Sequence, residues 1–172
     1  MNIETDRLLL VPLGPKYLLS THAYASDIDN TKYMVHLPNS NIDETREFLE
    51  WVHSEWQKPS PEFYEYAILL GNDHIGAVSI HKTEDAVGEL GWILNKKYWG
   101  QGYATEAAKG LISYAIQELK INSFIAHCDS ENIGSFRVME KLGMALIDRS
   151  YGRRNRSSSE DREELIYSLK IE

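Results

Sequence analysis

The sequence predicts an α/β domain in which short strands alternate with amphipathic helices along 172 residues. The strongest observation is in residues 87–119, where an apolar strand passes through a two-glycine turn into a helix. A second is the sequence Gly71-Asn72-Asp73 between two apolar runs, which predicts a hairpin. The whole chain then has the order β-α-α-β-β-β-α-β-α-β-β. No second domain boundary interrupts it, so we expect one domain over 1–172.

Each element has its own local signal. Pro15 suits the first turn of a helix, Asn41 followed by Glu44 is typical of a capped helix start, and Gly143 is typical of a helix end. The predicted strands are Arg7–Pro12, Phe63–Leu70, His74–His81, Gly88–Leu94, Ser123–Cys128, Ala145–Tyr151 and Glu164–Ile171. The predicted helices are Pro15–Asp27, Ile42–Trp56, Ala104–Leu119 and Asn132–Leu142.

Composition excludes several classes of protein. A hydrophobic content of 42% with 26% charged residues is typical of a soluble globular chain, and no apolar run is long enough to cross a membrane. The first residues lack the basic and apolar regions of a secretory signal, and Cys128 has no second cysteine to pair with. We therefore expect a cytoplasmic protein without a metal site. The net charge of −8 argues against nucleic-acid binding and is compatible with a cationic partner.

The turn Gly100-Gln101-Gly102 is an anion-binding candidate. The residues after it are apolar at i, i+3, i+4 and i+7, which predicts a helix. The first N–H groups of a helix have no intrahelical partner, and the helix dipole adds positive charge at the same end. A P-loop is excluded because no Gly-Lys-Ser or Gly-Lys-Thr occurs in the chain. A dinucleotide fingerprint would need glycine where Thr105 stands.

The segment Lys97-Tyr98-Trp99-Gly100-Gln101-Gly102 resembles the pyrophosphate loop of the GNAT acetyltransferase superfamily, with Lys97 in place of the usual Arg or Gln. Residues 129–144 resemble a second GNAT motif through Asn132, Lys141 and Gly143, with Met144 in place of Phe. The opening run 5–10 and the string 98–107 are similar to the RimJ/RimL branch. Three motifs in the family's order make the resemblance specific, and it extends from residue 3 to residue 171.

The resemblance implies a mixed, mostly antiparallel sheet of about seven strands flanked by helices, with the fourth and fifth strands splayed apart. It also implies acetyl-CoA as the acetyl donor. The pyrophosphate would lie on the glycine turn, and the pantetheine arm would pair with the open edge of the fourth strand. The implied cofactor-binding residues are Trp92, Ile93, Leu94, Gly100, Gln101, Gly102, Tyr103, Ala104, Thr105, Asn132 and Phe136.

The resemblance also implies two proton-handling groups. Many family members place a tyrosine seven residues after the Asn to protonate the CoA thiolate, but Met139 occupies that position here. The RimJ/RimL branch uses a serine three residues after the Asn, which Ser135 matches, so we expect Ser135 to donate a hydrogen bond to the thiolate. Glu89 is our candidate for the base, with His81 or a water relay as alternatives.

These features predict an N-acetyltransferase acting on a small amine or a peptide N-terminus. The alternative is a module that binds acyl-CoA without transferring it. Dimers are common in this family, which leaves a homodimer open. Acidic residues on or near the second helix mildly favour a cationic acceptor, and a solvated helix face explains them equally well. They are Asp43, Glu44, Glu47, Glu50 and Glu55. We expect Trp99 and Cys128 to pack in the core and the arginine-rich loop 152–161 to be solvated. A clamp for the CoA 3′-phosphate and a contact with the acceptor are the alternatives for its arginines, Arg153, Arg154 and Arg156.

Overall fold

The central feature of the structure is one sheet with helices on both faces. The computed structural model describes residues 1–83 and 86–172. The strands within them are β1 (Ile3–Glu4), β2 (Leu9–Pro12), β3 (Phe63–Leu70), β4 (Asp73–Lys82), β5 (Val87–Leu94), β6 (Ser123–Asp129), β7 (Ala145–Arg153) and β8 (Arg162–Lys170). The helices are α1 (Leu18–Ala25), α2 (Ile28–Thr31), α3 (Ile42–Trp56), α4 (Tyr103–Gln117) and α5 (Ile133–Lys141).

The sheet order is β1-β2-β3-β4-β5-β6-β8-β7. Every neighbouring pair is antiparallel except β5 and β6, which run parallel. The predicted mixed sheet between helices is confirmed, and all seven predicted strands and four predicted helices are present. The two-residue β1 was not predicted because so short a strand carries no periodic signal.

The short helix α2 was also missed. The sequence predicts a helix continuing to Asp27, but the structure ends α1 at Ala25 and starts α2 at Ile28. Asp27 explains the break because its side chain accepts the N–H of Asn30 at 2.8 Å and caps a new helical turn. Asn41 caps α3 in the same way, as predicted, by accepting the N–H of Glu44 at 3.0 Å.

Each face of the sheet buries its own core. On one face α4 and α5 contribute a large cluster that includes Leu111, Ala115 and Met139, all fully buried. On the other face α3 contributes Leu49 and Val52 to a smaller cluster. Burial of these apolar stripes, at roughly 25 cal/mol per Å² of apolar surface, fixes the helices to the sheet.

The parallel pair β5–β6 separates after three residues. Their register pairs Val87 with Ser123, Gly88 with Phe124 and Glu89 with Ile125, and no ladder pair follows. Beyond that point β5 stays paired with β4 as far as Leu94, and β6 stays paired with β8 as far as Asp129. The result is a wedge between the strands, which we call the strand gap. It confirms the expected splay, because β5 and β6 are the predicted fourth and fifth strands.

Asp129 holds the far end of β6 in place. Its carboxylate is fully buried and accepts hydrogen bonds from Arg162, from the side chain of Asn155 at 2.7 Å and from the N–H of Glu131 at 2.9 Å. Burial opposes ionisation of this carboxyl, but the donors outweigh it and hold the pKa of Asp129 below its ordinary value. The carboxylate therefore ties β6, β8 and the loop between β7 and β8 together.

We expect Asp129→Asn to lower the free energy of unfolding by about 3 kcal/mol, because an amide cannot satisfy the donors that now meet a carboxylate. The folded-state pKa of Asp129 is lowered, so its contribution is present at neutral pH and is lost as pH falls through that pKa. The difference between variant and wild type in urea unfolding should shrink below about pH 4. The exposed Asp148→Asn is the control, and an equal loss there would contradict the assignment.

Candidate active site

A cavity of about 740 Å³ occupies the strand gap. Its lining includes Trp92, which packs against the cluster of α4 and α5, and Ile93, which packs against the cluster of α3, so it meets both faces of the sheet. A volume of this size is typical of sites that enclose a cofactor. Its walls are the second half of β5, the start of α4, the start of α5, the end of β6 and the segment around α2. The predicted site residues that line it are Trp92, Ile93, Leu94, Gly100, Gly102, Tyr103, Ala104, Thr105, Asn132 and Ser135. Three others, Glu89, Gln101 and Phe136, do not line it.

The glycine turn, Gly100 to Gly102, has the geometry of an anion cradle. Both glycines have positive φ, 77° and 81°, a region that side chains with a Cβ rarely adopt. Gly102 is the residue before α4, so the N–H groups of Tyr103, Ala104 and Thr105 precede the first intrahelical bond, donated by Glu106 to the carbonyl of Gly102. These N–H groups and the helix dipole favour an anion at this end of the cavity.

Contacts from Thr5 and Arg7, near the start of the chain, hold the glycine turn in place. Arg7 donates to a carboxylate oxygen of Glu106 at 2.6 Å and to the carbonyl of Gln101 at 3.0 Å, and its guanidinium lies over the ring of Tyr103. Thr5 donates to the same carboxylate at 2.6 Å. Burial opposes the charge of Glu106, but these donors outweigh it and lower its pKa. Arg7 thus places a cation beside the turn, a role that the sequence pattern alone did not indicate.

The end of β5 presents an open edge to the cavity. The carbonyl of Leu94 accepts from the side chain of Asn30 at 2.9 Å and from the indole N–H of Trp99 at 3.0 Å, instead of from β6. Trp99 was expected in the core, and that expectation was wrong. It is 52% exposed and lines the cavity, because its indole bridges from the glycine turn to the strand end.

The start of α5 lies across the gap from β5. Asn132 caps this helix by accepting the N–H of Ser135 at 3.2 Å, so its side chain is fixed at the edge of the cavity. The hydroxyl of Ser135 lies beside Cys128, which is buried as expected, and burial raises the pKa of this thiol to about 11. Phe136 packs against the core behind the cavity wall.

His127 is the site residue that sequence reasoning missed. It lies on β6, lines the cavity, and its Nδ1 is 2.7 Å from a carboxylate oxygen of Glu164 on β8. Its Nε2 is 4.0 Å from Glu89, the predicted base, whose side chain is 43% exposed beside the cavity. His81 instead lies against Phe63 at the surface. No motif marks His127, and only the pairing of β6 with β5 and β8 brings it to the gap.

The comparisons with known proteins agree with this geometry. A model of the acetyltransferase (GNAT) domain matches residues 7–145. The chain belongs to the GNAT acetyltransferase family. It is 30% identical over 149 residues to the uncharacterized N-acetyltransferase YnaD of Bacillus subtilis, an alignment that covers 84% of this chain and 82% of that protein.

Solved structures give the same result. A GNAT-family acetyltransferase from Bacillus anthracis is 30% identical with a TM-score of 0.82, covering 99% of this chain and 98% of that one. RimL, a ribosomal alpha-N-protein acetyltransferase crystallised with coenzyme A, has a TM-score of 0.84 at 17% identity and covers 99% and 98%. The RimL likeness concerns the fold. As a member of the GNAT family the chain is an acetyl-CoA-dependent acyltransferase, and the cradle and open edge suit that donor.

On its second face the cavity is lined by Arg153 and by most of the segment 29–34. Residues 154–157 continue from Arg153 without lining the cavity, and we call the two segments, 29–34 and 153–157, the acceptor wall. Arg153 donates to the carbonyl of Tyr33 at 2.9 Å, and Arg156 pairs with Glu44 at 3.0 Å. The expectation of a solvated loop holds for most of 152–161, including the exposed Arg154 and Arg156, but not for Arg153 and Asn155. Only 10% of the Arg153 side chain is exposed, and Asn155 is buried against Asp129.

Two further findings concern the described residues alone. No helix among residues 1–83 and 86–172 is both long and apolar enough to cross a membrane. The same residues contain no cluster of three or more His, Cys, Asp or Glu side chains arranged to hold a metal ion.

We expect Gly102→Val to weaken acetyl-CoA binding at least about tenfold, or ~1.4 kcal/mol, because a β-branched residue resists a φ of 81° and displaces the cradle N–H groups. Titration calorimetry with acetyl-CoA measures this directly. Gly71→Val is the matched control, since Gly71 also has positive φ, 59°, but lies in the β3–β4 turn. Unchanged affinity in the Gly102 variant would show that the turn does not hold the cofactor.

Proposed function

We propose that this acetyltransferase moves the acetyl group of acetyl-CoA to a primary amine by direct attack of the amine on the thioester. The observation that carries the proposal is the cavity through the strand gap, which has an anion cradle on one face of the sheet and the acceptor wall on the other. A donor and an acceptor can therefore approach one reaction centre from opposite sides. Such an arrangement favours direct transfer because it holds both reactants together.

In this proposal the cofactor occupies the cradle side. Its pyrophosphate accepts hydrogen bonds from the N–H groups of the turn and first helical residues, with a further donor in the Thr105 hydroxyl. The pantetheine arm follows the open edge of β5, opposite Asn132. The cavity-lining positions of these residues support the placement. Gln101 contributes its backbone alone, and Phe136 supports the wall from behind.

Ser135 is the proposed donor to the departing thiolate. A tyrosine hydroxyl is absent at position 139, where Met139 is fully buried in the core, so the serine hydroxyl at the edge of the cavity takes that role. Cys128 does not compete as a nucleophile, because its raised pKa keeps the thiol protonated at neutral pH.

For the acceptor we propose a small amine or a peptide N-terminus. RimL acts on a ribosomal protein by its name, and its shared fold favours the peptide as one candidate. The acidic residues of α3 give little support to a cationic acceptor. Glu44 pairs with Arg156, Asp43 with Arg46 and Glu55 with Lys58, so three of these carboxylates already have cationic partners.

An acceptor panel tests the function. Acetyl-CoA is mixed with spermidine, phenethylamine or short peptides beginning with Ala, Ser or Met, and release of CoA thiol is followed with mass detection of the acetylated product. We expect turnover with at least one primary amine. A folded protein that binds acetyl-CoA yet acetylates none of these amines would favour the alternative, a module that only binds the cofactor.

We expect Ser135→Ala to lower kcat about 100-fold while leaving the acetyl-CoA dissociation constant within about twofold, because the hydroxyl acts on charge that develops only during thioester cleavage. Steady-state kinetics with the panel's best amine, together with calorimetry, separates the two quantities. Ser113→Ala, on the exposed side of α4, is the matched control. A loss of cofactor affinity equal to the loss of rate would place Ser135 in binding instead.

A further inference from the structure

One side chain on the acceptor side of the cavity has the chemistry to receive a proton. His127 is about one quarter exposed, at 28%, and it lines the cavity from the strand β6 that bounds the gap. An alkyl ammonium must lose a proton before its nitrogen can attack, and imidazole is the side chain suited to accept it near neutral pH. Glu89 has a carboxylate nearby but does not line the cavity.

Glu164 determines which ring nitrogen of His127 is available. An ionised carboxylate can only accept hydrogen bonds, so the 2.7 Å contact places the ring hydrogen on Nδ1. The lone pair then lies on Nε2. Among the ion pairs of residues 1–83 and 86–172, the only partner of this nitrogen is Glu89. A carboxylate that orients a histidine in this way recurs in nucleophilic and general-base sites.

Charged groups on three neighbouring strands lie close to His127. Glu89 on β5 is 4.0 Å from Nε2, Glu164 on β8 is 2.7 Å from Nδ1, and the guanidinium of Arg153 on β7 is 3.7 Å from Glu164. Each ring nitrogen of His127 therefore has a carboxylate near it, Glu164 at Nδ1 and Glu89 at Nε2. Glu89, the base that the sequence suggested, is therefore placed to act through His127.

We propose that His127 is the general base of acetyl transfer, that Glu164 is its positioning residue, and that Glu89 stabilises the imidazolium. This inference rests on the proposed function. His127 Nε2 takes one proton from the acceptor ammonium and later releases it to solvent. The neutral nitrogen forms a bond to the thioester carbon, the carbon–sulfur bond breaks, and the second proton lost by nitrogen ends on the CoA thiolate held by Ser135.

The first test is kinetic. With acetyl-CoA and the best amine of the panel, His127→Gln should lower kcat/KM about 100-fold. We expect the wild-type rate to fall as pH decreases and the variant to lose that fall. Acetyl-CoA affinity should stay unchanged. The matched control is His81→Gln, an exposed histidine of β4 paired in register with Glu89, and it should keep wild-type rate and pH profile.

The second test is spectroscopic, and its NMR measurement needs no acceptor. Nitrogen-15 NMR of the histidine rings should show the Nδ1–H tautomer for neutral His127, and Glu164→Gln should change that tautomer population and lower kcat more than it raises KM. A wild-type rate and pH profile in the His127 variant, or an Nε2–H tautomer in wild type, overturns the inference while the proposed function stands. A wild type that acetylates no amine overturns the proposed function, and the inference with it.

Discussion

The separation of β5 from β6 is the constraint on which the rest of this structure depends. Two parallel strands that pair for only three residues leave unpaired backbone in the middle of a sheet, an arrangement that normally closes or attracts another strand. Here the gap supplies the cavity and the open edge of β5 along which we propose that the cofactor arm binds. Every residue to which we assign a role is at this gap or supports it.

Polar side chains keep the two strand ends apart. On β5 the carbonyl of Leu94 is satisfied by Asn30 and Trp99, and on β6 the carboxylate of Asp129 is satisfied by Arg162 and Asn155. Because buried polar groups are costly when unpaired, each network fixes its strand end independently of the other. Asn30 belongs to α2 and Asn155 to the β7–β8 loop, so the same contacts also position the acceptor wall.

Much of the donor side could be predicted from sequence because its signals are local. Gly100 and Gly102 mark the turn, the apolar spacing after them marks α4, and Asn132 with Ser135 marks the start of α5. The proposed acceptor side could not be predicted from sequence, because its residues meet only through long-range contacts. The sequence places Arg153 in a polar loop, but the structure packs it against Tyr33. The sequence predicts Trp99 in the core, but the structure leaves it half exposed at the cavity.

By itself the sequence determined the family, the order of the longer strands and helices, and the chemistry of the donor, because phosphate cradles and helix caps are built from residues close together in the chain. Tertiary structure alone decided which side chains share the proposed reaction centre. His127, Glu164 and Glu89 lie on three strands, and only the register of β6 against β8 and its short pairing with β5 bring them together. A contact between distant segments leaves no pattern in a single sequence, so the proposed proton path could be inferred only from the fold.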